Sequence, residues 1–228
     1  MQDDLYRQKI LILDFGSQYT QLIARRIREA SVYCEIHPCH LSIDRIRGFS
    51  PKGIILSGGP SSINDDDAPM ADVEIFELGV PILGICYGMQ FLTHVLGGRV
   101  VETMEREYGN ATITIRENQS LFYGFEKQER QAVWMSHGDR IEQLPEGFSS
   151  LASTDSSPVA AMGDPSRKWF GVQFHPEVAH TPEGMRILKN FLFRICGCEP
   201  TWTMASFIER SVRSMKKRIG DERVICGL

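Results

Sequence analysis

Positive charge is in short supply. Lysine and arginine number 25 against 29 aspartates and glutamates, a formal net charge of −4, so neither a nucleic acid nor an anionic membrane surface is expected as a partner. The densest basic cluster, Arg210, Arg213, Lys216, Lys217 and Arg218, sits opposite the apolar positions of one helical pattern and reads as a solvated face. Long apolar runs are lacking too. None approaches the ~18 residues of a membrane span, and MQDDLYRQ at the start has no signal-peptide core, which makes a cytoplasmic address the expectation. Cysteine is sparse: six residues, at 34, 39, 86, 196, 198 and 226, fall short of a secreted disulfide scaffold and are expected as free thiols. The loop SGGPSS at 57–62 is not followed by the Lys-Ser/Thr of a Walker loop, and Asp14-Phe15-Gly16 has none of the companion motifs of a kinase. Two phosphate-handling readings are thereby set aside.

What the chain does hold is enough apolar residue, 42% of 228, for one large domain with a small appendage. Residues 9–15 (KILILDF), 32–37 (VYCEIH), 53–57 (GIILS) and 80–85 (VPILGI) are strand candidates, and the near-continuous apolar runs in the first, third and fourth are those of strands buried on both faces. Helical patterns follow the first, through Leu22, Ile23, Ile27 and Ala30, and the last, through Leu92, Val95 and Leu96 up to Gly97-Gly98. From 99 to 174 the runs VVET, ATITIR, AVWMS, PVAAM and KWFGVQF are short and partly alternating, and predict antiparallel strands added at the sheet edge. Thr181-Pro182 predicts the cap and first turn of a helix carrying Leu188, Phe191, Leu192 and Ile195 to Gly197. The expected fold is α/β: a mixed, mostly parallel central sheet flanked by helices, with an antiparallel edge extension. Residues 1–202 form the main domain. Residues 203–228 read as a linker helix over 203–219 and the first buried strand, RVICGL, of a further domain.

Chemistry concentrates at PILGICYGMQFL, residues 81–92. A strand running into Gly-x-Cys-x-Gly and then a helix is the pattern of a nucleophile elbow, in which glycines leave room around a reactive side chain on a sharp turn. The helix that starts near Tyr87 would direct N–H groups at the Cys86 sulfur and favour its thiolate. A buried cysteine acting as a small hydrophobe fits the same residues. Of the six histidines, His175 is the best candidate base, at the end of an apolar strand and two residues before Glu177, which could orient its ring; a hydrogen-bonded turn histidine is the other reading. His137, in Met135-Ser136-His137-Gly138-Asp139, is expected on a turn that presents polar groups to a ligand. The side-chain-poor loop at Gly58-Gly59 could supply backbone donors to an oxyanion.

Together GICYGMQ, SGGPSS, MSHGD and GVQFHPEV resemble the class I (triad-type) glutamine amidotransferases, each motif appearing in the order that family requires. LILDFGSQYTQLIARRIRE and HTPEGMRILKNFLFRICGC are similar to the branch of that family whose ammonia aminates XMP. The resemblance implies Cys86 as nucleophile, His175 as general base and acid, and Glu177 as its orienting carboxylate. It implies an oxyanion hole from the N–H groups of Gly59 and Tyr87, with Gly58, Gln90, Ser136, His137, Gly138 and Asp139 holding L-glutamine. It implies no metal or cofactor for this stretch, and a partner ATP-pyrophosphatase (synthase) domain that takes ATP and magnesium. A γ-glutamyl hydrolase or cysteine peptidase with the same three residues, and a glutamine-binding module without turnover, are the alternatives to be separated.

Overall fold

A computed structural model describes residues 8–220 and 222–225, the side chains of 104–106 and 210 excepted. Nine strands form one sheet in the order β2-β1-β3-β4-β9-β8-β7-β5-β6. Its first half is parallel: β2 (Tyr33–Pro38), β1 (Lys9–Asp14), β3 (Gly53–Leu56), β4 (Ile82–Ile85) and β9 (Trp169–Val172). The rest is antiparallel: β8 (Ala161–Asp164), β7 (Ser149–Ser153), β5 (Arg99–Ile115) and β6 (Arg130–Gln143). Period-two alternation divides the apolar residues between two cores. Ile10 and Ile12 of β1 face the cluster closed by Ile23 and Ile27 of α1 (Thr20–Glu29) and by Ile187 and Leu188 of α4 (Gly184–Lys189). Leu11 and Leu13 face the opposite cluster, closed by Ile46 of α2 (Ile43–Phe49) and by Met89, Phe91 and Leu92 of α3 (Tyr87–Val95). The wholly apolar sequence of β3 and β4 is the consequence, since both faces are covered.

The mixed, mostly parallel sheet agrees with the sequence pattern, but several details differ. KWFGVQF is not part of an edge extension. As β9 it pairs parallel with β4 and antiparallel with β8, at the junction of the two halves, because it is buried on both faces. VVET and ATITIR are one long strand, β5, and the helix α2 and strand β7 have no counterpart among the sequence expectations. Ser136, His137, Gly138 and Asp139 lie within β6 rather than on a turn: burial alternates straight through them, and the irregularity sits on the partner strand. There, Glu102 pairs with Asp139 and Glu107 with His137, so five steps of β5 are set against two of β6 and the ribbon bends.

Thr181 does not cap the helix that follows. Its hydroxyl donates to the His175 carbonyl (2.7 Å) and accepts from the Trp134 N–H (3.0 Å), and α4 begins only at Gly184, passing into a π-helical stretch, Asn190–Ile195. The expected helix is α5 (Met204–Ile219), capped by Thr203, whose hydroxyl accepts from the Ser206 N–H at 3.1 Å, and it lies exposed along Met204, Ile208, Val212 and Met215. Of the strand expected at RVICGL, residues 223–225 belong to no strand and are exposed, having no neighbouring strand to cover them; residues 226–228 lie outside the described residues. Cys34, Cys39, Cys86, Cys196 and Cys198 are buried free thiols. Among the described residues no helix is long and apolar enough to cross a membrane.

Candidate active site

The chain leaves β4 at Ile85 and enters α3 at Tyr87, so a single residue makes the turn. Cys86 takes φ 52° and ψ −107°, a left-handed conformation that costs a side-chain-bearing residue energy and is met mainly at functional turns. The flanking glycines are explained by contact. A Cβ on Gly84 would lie 2.5 Å from the Gly88 carbonyl oxygen, and one on Gly88 would lie 2.3 Å from that of Leu56. With both absent, α3 packs directly on the strands and its N-terminal dipole points at the sulfur. The Cys86 N–H donates to the Val172 carbonyl (2.8 Å), which pins the turn to the end of β9.

The end of β9 carries the partner groups. His175 is held by its backbone, whose N–H donates to the Trp134 carbonyl at 3.0 Å and whose carbonyl accepts from Thr181. Its Nδ1 bonds Glu177 Oε1 at 2.7 Å, which leaves Nε2 for the hydrogen bond the ring makes with Cys86. Burial by itself disfavours the charged ring, but the hydrogen bonds to Cys86 and Glu177 and their negative charge outweigh it and raise His175 from the ordinary 6.5 to about 10. Glu177 is fully buried, and its backbone carbonyl accepts from Arg26 Nε of α1 at 2.9 Å. Tyr19, at the start of α1, packs edge-on against the His175 ring, 5.0 Å between centroids.

In front of Cys86 opens a cleft of about 420 Å³. Gly59, Tyr87, Gln90, Ser136, His137, Gly138 and Asp139, all expected at a substrate site, border it together with the cysteine. Gly58 differs: it is tucked behind the cleft, where a Cβ would lie 3.2 Å from His175 Cε1. The cleft wall is braced by polar contacts. Asp139 accepts from Ser62 Oγ through its carboxylate (2.5 Å) and from Gln90 Nε2 through its carbonyl (3.4 Å). His137 Nδ1 meets the same carbonyl at 2.9 Å, and its Nε2 meets Glu107 Oε2 at 3.0 Å. Glu107 also accepts from Thr154 and Ser156. Burial works against its charge, but the hydrogen bonds from His137, Ser156 and Thr154 prevail and hold its carboxyl down at about 2. Tyr19, Ser62, Glu102, Glu107 and Tyr108 were not among the expected site residues. They reach the site through the bend in β5 and through loop packing, neither of which leaves a local pattern in the sequence.

Three of the four motifs, spread over some eighty residues, thus border one cleft, and the fourth, GVQFHPEV, reaches Cys86 through His175 and Gln173. Residues 11–195 match the family model "Glutamine amidotransferase class-I". The chain belongs to this family.

Among the amidotransferase's curated relatives, the GMP synthase [glutamine-hydrolyzing] of Acetivibrio thermocellus is 55% identical over 219 residues, covering 96% of this chain and 42% of that protein. The enzyme of the same name from Heliobacterium modesticaldum is 53% identical over 221 residues, 97% of this chain and 43% of that one. The chain therefore spans about two fifths of the length of these relatives. Among solved structures, a putative GMP synthase subunit from Thermoplasma acidophilum superposes with a TM-score of 0.73 at 30% identity, over 92% of this chain and 98% of that one. A glutamine amidotransferase from Thermotoga maritima (TM-score 0.60, 19% identity, 93% and 95% coverage) shares the fold.

Proposed function

We propose that the chain hydrolyses L-glutamine to glutamate and ammonia through a thioester on Cys86, and that in a complete GMP synthase the ammonia aminates XMP to GMP. The observation that carries this reading is the buried line Cys86, His175, Glu177, with its sulfur at the floor of a cleft large enough for glutamine. The Cys86 thiolate attacks the side-chain amide carbon, and the oxyanion that forms is met by the N–H groups of Gly59 and Tyr87. The His175 imidazolium gives its Nε2 proton to the departing nitrogen, so ammonia leaves and the acyl group stays on sulfur. Neutral His175 then takes a proton from water, hydroxide attacks the thioester, and glutamate departs as the thiolate and imidazolium are restored. Glu177 keeps Nδ1 protonated and the ring in register through both halves. Gln90 and the Ser136–Asp139 stretch of β6 bind the polar groups of glutamine.

The partner in this reading is an ATP-pyrophosphatase (synthase) domain, joined through the linker helix at 203–219, in a cytoplasmic ligase of purine biosynthesis. ATP with magnesium would activate the nucleotide there. Among the described residues of this chain no group of three or more His, Cys, Asp or Glu is placed to hold a metal ion. The test is glutamate release from glutamine, by the chain alone and with the synthase domain and its substrates added, for the wild type and Cys86→Ala. Release that vanishes in Cys86→Ala is expected. Silence in both settings, or turnover of γ-glutamyl peptides in preference to glutamine, would refute it.

A further inference from the structure

Two hydrogen-bonding groups besides His175 reach the Cys86 sulfur, and they act in opposite directions. The Ser136 carbonyl oxygen, at 3.6 Å, can accept from a thiol but repels a thiolate. Gln173 Nε2, at 3.7 Å, can only donate and so favours the thiolate. Gln173 is wholly buried, one residue beyond β9, with its backbone N–H tied to the Ala160 carbonyl at 2.9 Å. Its Oε1 is buried without a protein partner. A buried amide oxygen left unpaired is costly, and an apolar side chain of similar shape would avoid that cost. Reversing the amide would set its oxygen against the sulfur, an arrangement that suits a thiol and repels a thiolate.

We infer that Gln173 is a positioning residue that holds the Cys86 sulfur as a thiolate, turned toward His175 and away from Ser136. The inference rests on the reading of Cys86 as the nucleophile. The amide N–H···S bond is strongest when sulfur carries full charge, so it supports both the resting ion pair and the thiolate expelled when the thioester is hydrolysed. No bond to Gln173 is made or broken.

The test follows alkylation of Cys86 by iodoacetamide across pH, with peptide mapping by mass spectrometry, in the wild type, Gln173→Met and Gln173→Glu, each checked for folding by thermal melting. Methionine keeps the length and removes the donor; glutamate keeps the shape and adds negative charge when ionised. The expected result is a midpoint displaced upward in Gln173→Met, with about tenfold slower alkylation at a fixed pH below it, as for losing one hydrogen bond to a charged group. Gln173→Glu should be displaced further. Should methionine prevent folding, the isosteric glutamate variant alone decides. Folded variants with the wild-type midpoint would overturn the role of Gln173 and leave Cys86 as the nucleophile. A wild-type Cys86 inert at every pH would instead overturn the nucleophile reading and this inference with it.

Discussion

Replacing Gly88 by alanine tests how closely the turn at Cys86 is packed. The added Cβ would sit 2.3 Å from the Leu56 carbonyl oxygen and 2.7 Å from the Leu56 carbonyl carbon and Cβ, whereas ordinary contact begins at 3.4 Å. Helix α3 and strand β3 must therefore part by roughly 1 Å, and backbone on both sides leaves no flexible side chain to absorb the overlap. The Gly88 N–H also donates to the Ser57 carbonyl at 3.0 Å, so the same displacement disturbs the loop leading to Gly58 and Gly59. Overpacking of this kind costs about 1–3 kcal/mol or more. A nucleophile misplaced by ~1 Å loses on the order of 10² in rate. Urea unfolding should show the lower midpoint, and glutamate release, measured with the synthase domain present, should show the loss. Gly48→Ala, in α2, is the control: its Cβ would meet nothing within 4 Å, and the exchange should stabilise the chain by roughly 0.5–1 kcal/mol. A Gly88→Ala protein with wild-type stability and activity would refute the packing described for the elbow.

Two further outcomes are expected. His175 binds its proton more tightly folded than unfolded, about 10 against 6.5, so the stability this confers is complete below about pH 6.5 and is lost as pH climbs toward 10. Urea midpoints should fall across that window in the wild type and fall less steeply in His175→Gln; parallel slopes would sink the assignment. Thr181→Val strands the Trp134 N–H and the His175 carbonyl, which should lower stability by about 1–3 kcal/mol and slow turnover, with Thr181→Ser recovering most of both. A valine variant indistinguishable from wild type would show that the bridge from β6 to the His175 loop is dispensable.

Much of the site was legible because its chemistry is locally encoded. The glycines at 84 and 88, the apolar run before them and the amphipathic helix after them are neighbours in sequence, and together they mark the turn at Cys86. His175 and Glu177, two positions apart at a strand end, are local in the same sense. Thr181 shows the limit: its position before Pro182 is a sound capping signal, yet its hydroxyl is taken by Trp134 and His175, groups that only the packing of β6 against the β9 end brings within reach. Strand β9 and the Ser136–Asp139 segment were misplaced for a related reason. Periodicity reports which faces of a segment are covered, but not which strand lies beside it, and the bend opposite Asp139 comes from extra residues on β5. The same holds for Gln173 and Glu107, ordinary polar residues until the sheet sets one beside the Cys86 sulfur and the other beside His137. The amino-acid order by itself thus determined the apolar strands, the elbow and the choice of Cys86, His175 and Glu177 as candidates, because those depend on near neighbours. Strand order, the wall of the cleft and the hydrogen bonds that hold the His175 and Cys86 pair were decided by tertiary structure alone, since each joins residues that only the folded sheet brings together.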